Sequence, residues 1–294
     1  MSQVVQPQEH VATQAYKSQF VRRFTKNPAG VAAMMVLLVI VLIVILAPVL
    51  APFNPNEQNL AAQFLPPGVQ GHLLGTDSLG RDVFSRVLYG GRISLLIAVI
   101  ATVVGMGIGL PIGIVSGFYG GKVDAIIMRV TDVLLAFPYL LLSIVIVGGL
   151  GPGLKNVTLS VAVSTIPFYV RLLRGLTVSS RNQQYVEAAR AAGASDIHIM
   201  WHCIARNILP YIIVATTLNS GYILLAVAGL NFLGFGVQPP TPEWGAMLAE
   251  NRSFITIAPY SVLAPGFAIL VVVLALNIMG DALRDALDVV MPRG

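Results

Sequence analysis

Six long uncharged stretches divide this chain: 27–56, 93–121, 133–154, 156–170, 207–242 and 253–280. About 20 apolar residues in a helix cross the hydrocarbon core of a bilayer. Each stretch therefore reads as one membrane span, with helices expected near 29–51, 91–117, 132–150, 156–174, 208–230 and 259–280. Only 11% of the 294 residues are charged, against roughly 25% in a soluble domain. Too little polar surface remains to cover a water-soluble core. The expectation is an all-α, polytopic membrane protein with six transmembrane helices, the first of them a retained helix.

Lys and Arg favour the cytoplasmic side of a membrane protein. Lys17, Arg22, Arg23, Lys26, Lys122, Arg129, Arg171, Arg174, Arg181, Arg190, Arg206, Arg284 and Arg293 fall on one side, and Arg81, Arg86, Arg92, Lys155 and Arg252 on the other. This 13-to-5 division of the 18 basic residues places both termini in the cytoplasm. The resulting layout is a cytoplasmic segment 1–28, a first helix 29–51, an external loop 52–90, a membrane core 91–280 with a cytoplasmic loop 175–207, and a cytoplasmic tail 281–294. The surrounding membrane is expected to be a bacterial or archaeal plasma membrane, the inner membrane in a Gram-negative cell. The net charge of +5 is local to this pattern, so no nucleic-acid partner is expected.

Helix 2 carries Gly105, Gly109, Gly113 and Gly117. A spacing of four aligns them on one face, where small residues permit close helix packing in lipid. Pro111 and Pro138 are candidate bends. The external segments are rich in turn formers. Asp82–Tyr89 reads as a short surface helix, and Trp244 as an anchor at the membrane interface. Asp124, Arg129 and Asp132 suit a helix entrance, and Asp281, Arg284, Asp285 and Asp288 a helix exit.

The interruption between the fourth and fifth stretches is the most informative polar segment. Gln183–Ala192 reads as a short alanine-rich helix. Gly193 ends it, and Ser195 or Asp196 caps a second helix. Ile197, Met200, Trp201 and Ile204 fall at i, i+3, i+4 and i+7, one apolar stripe. His198 and His202 are i,i+4 neighbours without a third ligand nearby, so no metal site is expected. The single cysteine, Cys203, excludes an intrachain disulfide. No GxxxxGK[ST] sequence is present, so the chain lacks the usual phosphate loop for ATP. No Ser/His, Asp/Asp or His-rich constellation points to catalysis.

Four segments together carry a family resemblance: EAARAAG (Glu187 to Gly193), LGTDSLGRDVFSRVLYGGRISL (Leu74 to Leu95), LNFLGFGVQPPTPEWGAM (Leu230 to Met247) and LNIMGDALRDALD (Leu276 to Asp288). The chain resembles the C-type permeases of peptide, nickel or glutathione ABC importers, above all those of dipeptide and oligopeptide systems. The resemblance implies a type I ABC importer permease fold. It implies a second permease subunit, two ATP-binding subunits carrying ATP and Mg, an extracytoplasmic substrate-binding protein, and a peptide or other small solute as cargo. No cofactor is implied in this chain. The resemblance assigns coupling to the ATPase to Glu187, Ala188, Ala189 and Gly193, with Ser195 and Asp196 at the start of the following helix. It gives Asp77, Arg81, Asp82 and Trp244 a role in an external gate or in docking. One departure from the family pattern is the ending after Gly193: Cys203, Ile204, Ala205 and Arg206 precede a later Leu209-Pro210. Glutathione or nickel-complex import is the alternative cargo. A secondary transporter and a structural or receptor subunit of a membrane complex are the alternatives of other classes.

Overall fold

The computed structural model describes residue 20 and residues 22–288. Lys17 and Arg293 of the charge pattern lie outside the described residues, as does the side chain of Asp288. Among the described residues the regular elements are helices. α1 (Pro28–Ile45) opens on Asn27, whose side chain accepts the Gly30 N–H, with Pro28 at the position where a missing N–H costs nothing. A further helical turn, Ala47–Leu50, carries the chain on to Ala51.

α2 (Val83–Tyr119) is a single helix of 37 residues. The sequence reading started this span at 91 and kept Asp82–Tyr89 as a separate surface helix. The structure joins the two, because the Asp82 carboxylate caps the helix from Ser85 N–H at 2.7 Å and the charged first turns are buried among partners. α2 runs through Pro111 without a break.

The third expected span, 132–150, is not one rod. α3 (Gly121–Leu135) and α4 (Tyr139–Leu150) meet at 88°. Pro138 lacks an amide donor and disfavours helical backbone at the residue before it, so the chain turns there. α5 (Leu154–Ser180), α6 (Gln184–Ala191), α7 (Asp196–Phe232), α8 (Trp244–Asn251) and α9 (Pro259–Asp288) follow. Five described helices are long and apolar enough to cross a membrane, and the bent α3–α4 pair, counted as one span, makes six.

The centre of the bundle is the α2–α5 pair. A Cβ added to Gly105, Gly109, Gly113 or Gly117 would stand 3.0, 2.5, 2.7 and 2.7 Å from atoms of Thr165, Tyr169, Leu173 and Arg174 respectively. The glycines thus let the two backbones approach to a distance that even alanine would not permit. One apolar core joins α2, α5, α7, α8 and α9 through Ile97, Val161, Leu224, Trp244 and Val272. A second lies at the α6 end, around Tyr169, Val186, Ile199 and Ile208. α1 packs on α9, with Phe24, Ala282 and Ala286 closing that contact. The outer faces of α1 and α9, including Leu38, Ile45, Phe267 and Leu270, are exposed and apolar, as a lipid-facing surface requires.

Candidate functional site

The candidate functional features lie at the two ends of α2. At its N-terminal end, residues 54–82 fold over the helix start and meet α8. Asp77 receives the Arg81 Nε at 2.7 Å, and its other oxygen accepts the backbone N–H groups of Leu79 and Arg81. Arg81 and Arg86 both reach Glu250 on α8, Arg86 at 3.1 Å. Arg86 also donates to the carbonyls of Pro55 and Pro240. His72 lies 2.9 Å from Asp82. Asp77, Arg81, Asp82 and Arg86 are each at most 2% exposed. Removing one member of such a buried set strands the charge of another, at a cost of roughly 3–5 kcal/mol.

Trp244 is not an interfacial anchor. Its indole is buried, donates to the Val87 carbonyl at 2.9 Å, and lies against Gly90 and Gly91. Those two glycines leave the volume that the ring fills. Glu243 begins α8, accepting Ala246 N–H at 2.9 Å and Ser94 Oγ at 2.6 Å. Burial raises its pKa to about 7. Asp77, Arg81, Asp82 and Trp244 are therefore buried and hold this end together from inside. Sequence reasoning missed Arg86, Glu243 and Glu250. Their signal was charge placed beside long apolar runs, which only a built network can satisfy.

At the other end, α6 and the start of α7 form a bent pair. Ala194 N–H bonds to Ala189 O and Gly193 N–H to Arg190 O, both at 3.0 Å, with Gly193 at φ +81°. This is the Schellman ending that glycine favours. Ser195, not Asp196, supplies the cap: its Oγ accepts His198 N–H at 3.3 Å. Asp196 lies exposed in the first turn, where a negative charge suits the helix dipole.

The expected stripe divides. Met200 and Ile204 are buried with Ile199, whereas Ile197 and Trp201 are exposed. The cause is a π-helical stretch, Ile199–Ile204. Its wider turn puts Ile199 and Ile204, five residues apart, on the buried face and leaves Ile197 and Trp201 outside. The altered ending around Cys203 coincides with this stretch, and from there α7 continues into the membrane core without interruption.

Glu187 and Ala188 are exposed, Ala189 is half-buried, and Val186 is buried in the adjoining core. The pair is tied to the bundle. The Arg190 guanidinium stacks 6.0 Å from the Phe118 ring, Arg181 donates to Gly117 O at 3.1 Å, and Asn207 donates to the Tyr185 hydroxyl at 3.1 Å. Asp124 on α3 bonds Arg174 on α5 at 2.6 Å and Ser116 on α2 at 2.6 Å, and Asp132 pairs with Arg171. His198 and His202 stack face to face at 4.6 Å. No group of three described His, Cys, Asp or Glu residues is placed to hold a metal.

The chain is similar to known transport proteins. The family described as binding-protein-dependent transport system inner membrane component matches residues 109–289, and that of the N-terminal TM domain of oligopeptide transport permease C matches residues 16–67. The dipeptide transport system permease protein DppC of Haemophilus influenzae is 46% identical over 270 residues, covering 90% of this chain and 92% of that protein. The glutathione transport system permease protein GsiD of Pectobacterium atrosepticum is 43% identical over 274 residues, covering 92% and 90%. A structure of the MetNI methionine ABC transporter, inward facing, matches at a TM-score of 0.59 and 18% identity, over 69% of this chain and 97% of that chain, which is a likeness of fold.

Proposed function

Because this chain belongs to the family of binding-protein-dependent transport system inner membrane components, we propose that it is the permease subunit of an ATP-driven importer for dipeptides. Identity of 40–46% to dipeptide permeases supports that cargo. Glutathione, itself a small peptide, is carried by the GsiD relatives at 43%, so a short peptide is the chemistry common to both. The chain is a transport protein and not an enzyme. ATP and Mg belong on two partner ATPase subunits. A second permease completes the path, and an extracytoplasmic binding protein delivers the solute. The α6–α7 end faces the cytoplasm of a bacterial cell, and the buried network around Arg81 and Arg86 faces outward.

The observation that carries this reading is a helix pair that exposes Glu187, Ile197 and Trp201 as a ridge, is held together by Asn207 on the Tyr185 hydroxyl, and is tied to the end of α2 by Arg190 over the Phe118 ring. A cytoplasmic partner gripping Ile197 and Trp201 buries apolar surface that this chain leaves open. Closing the ATPase pair moves the ridge. Because α7 is one continuous helix from Asp196 to Phe232, and Arg181 and Arg190 bind the C-terminal end of α2, the displacement passes into the bundle as a rigid-body motion. Gly193, Ser195 and Asp196 set the angle of the ridge. At the outer end, the Arg81–Arg86–Glu250 set ties α8 to α2 and makes α8 move with it as part of the external gate.

Vesicles containing this chain, its partner permease and both ATPase subunits are expected to take up a dipeptide only with ATP inside and loaded binding protein outside. Uptake that persists without nucleotide would reject the reading, as would an importer equally active without this chain.

A further inference from the structure

The bend between α3 and α4 opens a pocket of about 310 Å³ lined by Pro138, Tyr139, Ser164, Phe168, Asn219 and Tyr222 among others. On the membrane spans expected from the sequence, 208–230 and 156–174, Asn219 stands at one midpoint and Ser164 next to the other, which places the pocket at mid-depth. Ser164 is 4% exposed and its Oγ has no hydrogen-bond partner. Its neighbours Ser160 and Thr165 return their hydroxyls to backbone carbonyls at 2.9 and 2.7 Å, the usual solution for a hydroxyl in a membrane helix. Leaving one unpaired there is costly.

α4 begins in the same pocket, at Tyr139, with no side-chain cap. Its first turn leaves N–H groups open and sets the positive end of the helix dipole there. The Tyr139 hydroxyl is already engaged with Thr165 Oγ1 at 3.1 Å and Val161 O at 3.3 Å, and its ring meets that of Tyr222 at 5.2 Å. Tyr222 is 50% exposed, so the pocket opens on the surface of this subunit. Lipid hydrocarbon cannot satisfy these donors. No Asp, Glu, Lys or Arg lines the pocket. A broken helix with open donors at the bilayer midplane is the arrangement with which membrane carriers hold polar solutes.

We propose that this pocket is a transit subsite in this chain's half of the translocation path, and that Ser164 and the N-terminus of α4 receive an oxygen-acceptor group of the solute, the carboxylate of a short peptide. Asn219 supplies the facing amide, and the aromatic walls accept the peptide plane. With no fixed charge in the pocket, the bound solute is not trapped. This inference rests on the dipeptide reading above.

The test is uptake of a neutral dipeptide and of its C-terminal amide by the reconstituted complex. The same binding protein delivers both, so upstream discrimination cancels between wild type and variant. Ser164→Ala is expected to lower the free-acid-to-amide uptake ratio about tenfold, the effect of losing a hydrogen bond to a charged group. Ser164→Thr restores the hydroxyl and is expected to hold the wild-type ratio. A photoreactive dipeptide is expected to label α4 or α7 at the pocket in the wild-type complex. An unchanged ratio in Ser164→Ala, or labelling confined to other helices, while wild-type uptake remains ATP-dependent, overturns the subsite alone. Absence of ATP-dependent uptake by the wild-type complex overturns the dipeptide reading, and the subsite with it.

Discussion

At the scale of single residues, glycine and buried charge set the geometry. Gly109 is the tightest point of the α2–α5 seam. A Cβ there would stand 2.5 Å from the Tyr169 Cβ and 3.2 Å from the Val170 backbone nitrogen, and backbone cannot rotate aside as a side-chain end can. Gly109→Leu is therefore expected to force the helices apart and lower stability by about 1–3 kcal/mol, read as a fall in the thermal midpoint of the purified complex. An unchanged midpoint would show that the two helices do not pack at this register. The seam was legible in the sequence because its period of four is a helical period. Its partner was not, because Thr165, Tyr169, Leu173 and Thr177 include two large side chains and do not read as a complementary small-residue face. Trp244 shows the reverse failure. An isolated tryptophan beside prolines reads as an interfacial anchor, and only the vacancy left by Gly90 and Gly91 brings it inside.

At the scale of elements, the decisive ones are the helices that begin, turn or change pitch where hydropathy gives no sign. α2 starts at Val83 rather than 91 because Arg86 is neutralised by neighbours distant in sequence, among them Glu250 at 3.1 Å. Charge counted along the sequence alone does not show this. α3 and α4 part at Pro138, which the sequence marks as a bend, though the 88° angle depends on the packing of α4 on α5. The α6–α7 break was legible, since Gly193 followed by Ser195 is an ending and a cap in three residues. The π-helical stretch was not, because it preserves the apolar composition while moving Ile197 and Trp201 outward.

The Gly193 turn carries a graded prediction. At φ +81° with no atom within 4 Å of an added Cβ, a substitution meets backbone strain and no clash. Asn tolerates this region and β-branched residues do not, with a penalty of roughly 1–2 kcal/mol. Peptide taken up per ATP hydrolysed is expected to fall in the order Gly193, Gly193→Asn, Gly193→Val. Equal coupling in all three would show that the turn does not set the angle of the ridge.

At the scale of the molecule, the two ends of one bundle have opposite characters. One end is closed by an internal charge network, with α8 folded onto the start of α2. The other leaves an apolar and acidic ridge open on a pair of helices bonded to the core. A lipid-facing belt of exposed aliphatic side chains on α1 and α9 separates them. On the function proposed above, it transmits a displacement and offers half of a path, and both the displacement and the other half come from partners. The claim that most depends on this whole is that ATPase closure enters through Ile197 and Trp201. The direct measurement uses a single cysteine at Ile197 in a Cys203→Ser background, with a short cross-linker and the assembled complex in vesicles. The result predicted is an adduct with an ATPase subunit whose yield changes between the nucleotide-free and ATP-bound states. Absence of any adduct in both states, with dipeptide uptake intact, would contradict the account.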